Sequence, residues 1–163
     1  MAPVGADSWC FRAGDLALSA ASGPDTDAGP FSQPTQRLIR THRAGLESLI
    51  READEVAVLC RQDDTPFVLT HSEPGGNVMR TTDRRLLLFD WGEAALGPPE
   101  RDWWDFDRLP REVGIRPAFK RFYELRWILG ELADYVSRFV DRHTGDEDDQ
   151  WMWRELRNYF PRA

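Results

Sequence analysis

The sequence predicts an α+β fold that is mainly helical and carries one small β-hairpin. Three observations support this. Apolar residues recur at helical spacing from Leu38 to Ala53 and again from Phe119 to Val140. Between them lie three short apolar runs punctuated by Gly, Pro and Asp, as short strands and turns require. The composition, 41% hydrophobic and 30% charged over 163 residues, suits one packed domain and excludes wholesale disorder.

The elements follow in chain order. Residues 1–30 are rich in Ala, Gly, Ser, Pro and Asp and read as an irregular lead-in, with Trp9, Phe11, Leu16 and Leu18 available for packing. Pro34 behind Ser32 or Gln33 opens a helix whose stripe is Leu38, Ile39, His42, Leu46, Leu49, Ile50 and Ala53. Val56, Ala57 and Cys60 extend it weakly, as a second short helix. Residues 66–70 read as a short buried strand. Asn77–Arg80 and Leu86–Phe89 form a hairpin about the polar turn 81–84. Asp90–Pro99 reads as a loop and Glu100–Asp107 as a short helix containing Trp103 and Trp104 as packing residues. A long helix spans Pro117–His143, one face lined by Phe119, Phe122, Leu125, Leu129, Leu132, Val136 and Phe139. Thr144 is the expected N-cap of a final helix. Asp146–Asp149 load its positive end, and Pro161 stops it. His42 and His143 read as surface or helix-end residues.

Charge and composition narrow the function classes. A net charge of −7 argues against a nucleic-acid binder, which normally shows a basic face. No run approaches the length and apolarity of a membrane span, and no secretory leader pattern opens the chain, so the expected compartment is the cytoplasm. Two cysteines, Cys10 and Cys60, make neither a disulfide framework nor a metal cage. Of 21 basic residues only Lys120 is lysine, so any lysine-dependent step has one candidate.

Chemistry is concentrated in residues 67–106, FVLTHSEPGGNVMRTTDRRLLLFDWGEAALGPPERDWWDF. An apolar strand delivers His71, with the carboxylate Glu73 two residues on and Asn77 behind two glycines. A hairpin then delivers Asp90 in Asp90-Trp91-Gly92. A carboxylate that orients an attacking hydroxyl, with hard oxygen donors on either side of a hairpin, is the equipment of phosphoryl transfer.

These residues, His71-Ser72-Glu73-Pro74-Gly75-Gly76-Asn77, Phe89-Asp90-Trp91-Gly92 and Gly97-Pro98-Pro99-Glu100-Arg101-Asp102, resemble the catalytic core of the aminoglycoside phosphotransferase family, which is related to choline and protein kinases. The resemblance covers roughly residues 31–160. It implies that residues 31–163 are a kinase-like C-terminal lobe following an irregular segment 1–30. It also implies that an N-terminal lobe, with its Gly-rich loop and strand lysine, is absent. By position, Glu73 matches the catalytic carboxylate, Asn77 and Asp90 the Mg²⁺ ligands, and His71 and Asp102 residues that support the catalytic loop. The family has Gly where Ser72 stands, and its loop from carboxylate to Asn is one residue longer. The implied activity is ATP- or GTP-dependent phosphorylation of a hydroxyl on a small molecule, with Mg²⁺ as cofactor. The alternative is a catalytically inactive kinase-like fragment acting as a binding or interaction module. A lobe without its companion should expose apolar side chains near Phe67–Leu69 and Val78–Leu88, favouring self-association or a partner that supplies the missing lobe. Neither a nucleic acid nor a membrane is an expected partner.

Overall fold

A computed structural model describes residues 13–22, 27–64, 66–106 and 114–160. Trp9, Phe11, Asp107, Pro161 and the side chain of Leu16 lie outside the described residues. The element order is α1 (Ala13–Ser22), α2 (Ser32–Thr41), α3 (Arg43–Arg61), β1 (Val68–Thr70), β2 (Val78–Arg80), β3 (Leu86–Leu88), a single 3-10 turn (Trp91–Glu93), β4 (Ala95–Gly97), α4 (Glu100–Trp103), α5 (Pro117–Val140) and α6 (Glu147–Asn158).

The chain packs as two compact units, with α3 and α5 contributing residues to both. One unit is drawn from Phe11–Asp54 and Leu125–Ala163. Its core combines Ile39 and Leu46 with Leu125, Leu129, Leu132, Val136, Phe139 and Leu156, the stripes that the helical spacing predicts. α1 occupies part of the segment expected to be irregular. Its sequence, AGDLALSAAS, is rich in the best helix former but has no wide apolar stripe, and Gly14 lets the helix sit against Ile50 and Leu129. α2 and α3 are separated at His42, which leaves helical geometry while Thr41 Oγ1 donates to the Arg37 carbonyl. α3 then runs on through Cys60, so the weak extension is one helix with the first stripe.

Asp146, not Thr144, caps α6: its carboxylate accepts the Asp149 N–H, and Thr144 Oγ1 donates to it. Asp149 is fully buried, pairs with Arg138 at 2.7 Å and accepts the Gly145 N–H at 2.8 Å. Burial alone would raise its carboxyl; the Gly145 N–H and the Arg138 guanidinium outweigh that and hold it below the ordinary range. His143 is buried rather than superficial. Its Nε2 accepts the Phe31 N–H at 3.0 Å and its ring stacks on Phe31, 112 residues earlier in the chain.

The other unit, within Glu55–Glu124, holds the small sheets. Ala57 and Cys60 from α3 pack on Phe119, Phe122 and Tyr123 from α5, with Trp104 against them. Burial pushes the Cys60 thiol up to about 11. The expected hairpin forms, with Val78 opposite Leu88 and Arg80 opposite Leu86. Two expectations are corrected. The 66–70 strand is not buried: Phe67, Val68 and Leu69 are exposed and only Thr70 is enclosed. The 90–99 segment is not simply a loop, because Ala95–Gly97 pairs antiparallel with Val68–Thr70 as a second two-stranded ribbon. Val78, Met79, Leu86 and Leu87 are also exposed, so both ribbons present apolar side chains to solvent where the sequence expects them.

Candidate functional site

β1 ends at Thr70 and delivers His71, which is 2% exposed. The loop that follows has no regular structure of its own and is shaped by a carboxylate thirty residues downstream. Asp102, on α4, accepts the His71 N–H at 2.9 and 3.0 Å and the Ser72 N–H at 2.7 Å. Bonds of this charge-assisted kind are the strong ones. They hold Ser72 at φ 94°, in the region that favours glycine and where the resembling family has glycine.

His71 closes the loop onto the second limb of the site. Its Nε2 lies 2.6 Å from the Phe89 carbonyl, and its Nδ1 accepts the Glu73 N–H at 3.4 Å. Both ring nitrogens are thus engaged, one facing a carbonyl and the other an N–H, and Trp91 meets the ring edge-on. This is the geometry of an anchor, not of a free proton carrier. Asn77 ties the far end of the loop: its Nδ2 donates to the Glu73 carbonyl at 2.8 Å, and its carbonyl accepts the Phe89 N–H at 3.1 Å. Loop and hairpin are thus knit at Phe89, one residue before Asp90.

Asp90 is exposed and adopts φ 60°, ψ 60°, starting the 3-10 turn Trp91–Glu93. Asp tolerates this left-handed conformation better than most residues. Its carboxylate receives no hydrogen bond from the described residues. Glu73 is exposed on the loop. The fold therefore brings His71, Glu73, Asn77, Asp90 and Asp102 into one local constellation. Among the described residues, no group of three or more His, Cys, Asp or Glu side chains is placed to hold a metal ion. Any cation here would rest on Asp90 and the amide oxygen of Asn77, which the Nδ2 bond leaves uncommitted. Those are hard oxygen donors, suited to Mg²⁺ shared with a ligand's own oxygens and water.

Three supporting residues escape a sequence reading. Glu100, fully buried, accepts the Arg116 backbone N–H at 2.9 Å and two guanidinium donors at 2.8 and 2.7 Å, while Arg116 also reaches Asp63. Burial would raise the Glu100 carboxyl, but the Arg116 bonds prevail and hold it below its ordinary range. In return, Glu100 holds the Arg116 guanidinium above its usual value. This fastens the first turn of α4, and with it Asp102. Arg101 bridges Thr70 Oγ1 and the Glu93 carbonyl, each at 2.8 Å. The available signals were faint: a charged triplet Glu-Arg-Asp after Gly-Pro-Pro, and a threonine ending an apolar run.

No protein-family profile matches the chain. It is 40% identical over 156 residues to Protein StrN of Streptomyces griseus, a match that takes in 90% of this chain and 47% of that protein. It also resembles the crystal structure of the AMP-bound complex of spectinomycin phosphotransferase, APH(9)-Ia, with a TM-score of 0.67 and 16% identity. That match covers 94% of this chain and 54% of the other. No helix among the described residues is long and apolar enough to cross a membrane. The chain spans about half the length of each of these proteins, and over that half it shares the fold of spectinomycin phosphotransferase.

Proposed function

We propose that the His71–Asn77 loop and the Asp90 turn form the phosphoryl-transfer site of an O-phosphotransferase of aminoglycoside-phosphotransferase type. Its donor is ATP or GTP and its acceptor a small hydroxylated molecule. The observation that carries this reading is the junction at Phe89. There His71 and Asn77 lock the loop bearing Glu73 against the turn that holds an uncommitted Asp90 carboxylate in left-handed geometry. The turn holds that carboxylate out to solvent, where a ligand can reach it.

In this reading Glu73 orients the acceptor hydroxyl and takes its proton, help worth roughly 10²–10⁴-fold. His71 and Asp102 fix the loop. Asp90 and Asn77 would hold Mg²⁺, which when bound neutralises charge on the nucleotide phosphates. Good positioning is worth about 7–11 kcal/mol of barrier. Both ribbons expose apolar side chains, so we expect these residues to bind nucleotide and to reach useful turnover only when a further polypeptide covers those ribbons.

Calorimetric titration with ATP and GTP, with and without Mg²⁺, tests the reading. The expected result is Mg²⁺-dependent binding that Asp90→Asn removes. Absence of Mg²⁺-dependent binding of either nucleotide would refute it. Nucleotide consumption over a panel of aminoglycosides and amino alcohols is expected to be negligible. Turnover that Glu73→Ala abolishes would support the chemistry and overturn the need for a covering polypeptide.

A further inference from the structure

Arg101 is only 7% exposed, yet it forms no ion pair among the described residues. Its two bonds go to neutral oxygens. Nη1 donates to Thr70 Oγ1 and Nη2 to the Glu93 carbonyl. Its stem lies close against Gly97 of β4, where a Cβ would sit 3.1 Å from its Cδ. A cation buried among neutral partners is a poor device for stability, because its desolvation is not repaid by an opposite charge. Nor do its partners depend on it for satisfaction. Thr70 Oγ1 also donates to the Ala95 carbonyl, and Glu93 is exposed to water.

What the guanidinium does is span the site. Thr70 immediately precedes His71 and the Glu73 loop, and Glu93 ends the turn that Asp90 begins. The planar fork reaches one atom on each limb with two fixed donors, which a point-like ammonium cannot reproduce. We propose that Arg101 is a positioning residue that couples the Glu73 loop to the Asp90 turn and so sets the Asp90 carboxylate for a metal-bound nucleotide. The inference rests on the phosphotransferase reading above.

The test measures Mn²⁺–ADP binding to the full chain by electron paramagnetic resonance, alongside thermal unfolding, for wild type, Arg101→Met, Arg101→Lys and Asp90→Asn. Arg101→Met is expected to unfold at the wild-type temperature or above while its Mn²⁺–ADP affinity falls about tenfold, the low end of the roughly 10–100-fold lost when a direct partner of a metal ligand is removed, because Arg101 acts on Asp90 only through the Glu93 carbonyl. Arg101→Lys is expected to fall between Arg101→Met and wild type. Arg101→Met binding like wild type, or losing affinity only together with a lowered unfolding temperature, would overturn the proposal. Full rescue by Arg101→Lys would also overturn it, because charge alone would then suffice. Wild type that binds no Mn²⁺–ADP, or binds it as well with Asp90→Asn, overturns the reading of the site itself and Arg101's part in it.

Discussion

Ser72→Gly is expected to stabilise the protein, against the usual direction of substitution. Ser72 is held at φ 94° because its own N–H and that of His71 both point into the Asp102 carboxylate. A non-glycine residue in such a region carries roughly 1–3 kcal/mol of strain. Glycine removes that strain but brings a floppier unfolded chain, which offsets about 0.5–1 kcal/mol. The net gain is about 1 kcal/mol. For a chain of this size that corresponds to a rise of roughly 2–4 °C in the unfolding midpoint. Thermal unfolding followed by circular dichroism measures it, with Ser72→Ala as the control. Alanine keeps the strain and loses only the hydroxyl, so its midpoint should stay within about 2 °C of wild type. A Ser72→Gly midpoint at or below that of wild type would refute the argument that Asp102 forces the backbone into an unfavourable conformation.

Three further outcomes are expected. Asp102→Asn replaces one accepting oxygen with a donor facing N–H groups and removes the charge from the remaining bonds. It should cost about 2–3 kcal/mol in urea unfolding and speed amide exchange at His71 and Ser72 before the α5 amides. Because Glu100 ionises more readily in the folded protein, its contribution is complete above the ordinary value of 4.5 and is lost as pH falls through the folded value. The stability difference between wild type and Glu100→Gln should therefore be level near neutral pH and narrow in acid; a difference that widens below 4.5 would contradict the Arg116 pairing. Cys60, buried and with its thiol pushed up to about 11, should resist iodoacetamide at pH 8 until the chain is unfolded in urea.

Much of this architecture is legible in the residues, and the exceptions share a physical cause. α5 and α6 declare themselves because burial on one helical face leaves a local period. The His71–Asn77 loop and the Asp90 turn are legible as connections because Gly, Pro and Asp interrupt the apolar runs beside them. β4 is not legible, since Ala95–Gly97 gains its strand character only by pairing with Val68–Thr70. α1 lacks a stripe, and its helicity rests on alanine content. His143 looks superficial until Phe31, far away in sequence, offers it an N–H. The cap of α6 was misplaced because Thr144 and Asp146 are both competent caps, and the choice depends on where Asp149 turns. Glu100 and Arg101 read as surface charge because nothing nearby in the chain reveals Arg116 or Thr70 as their partners.

The Asp102 clamp also fixes an order of assembly. The residues it shapes, His71 and Ser72, are synthesised about thirty positions before it, and the ribbon under them needs Ala95–Gly97 as well. The turn and the side-chain ties of His71 and Asn77 within residues 71–77 leave the His71 and Ser72 N–H groups to the Asp102 carboxylate. During translation the loop therefore stays unformed until α4 has left the ribosome. In refolding its closure is a long-range event, slower than helix formation and late on the path. A fragment ending before Asp102 could keep α3 as nascent helix and still have no ordered loop to present Glu73.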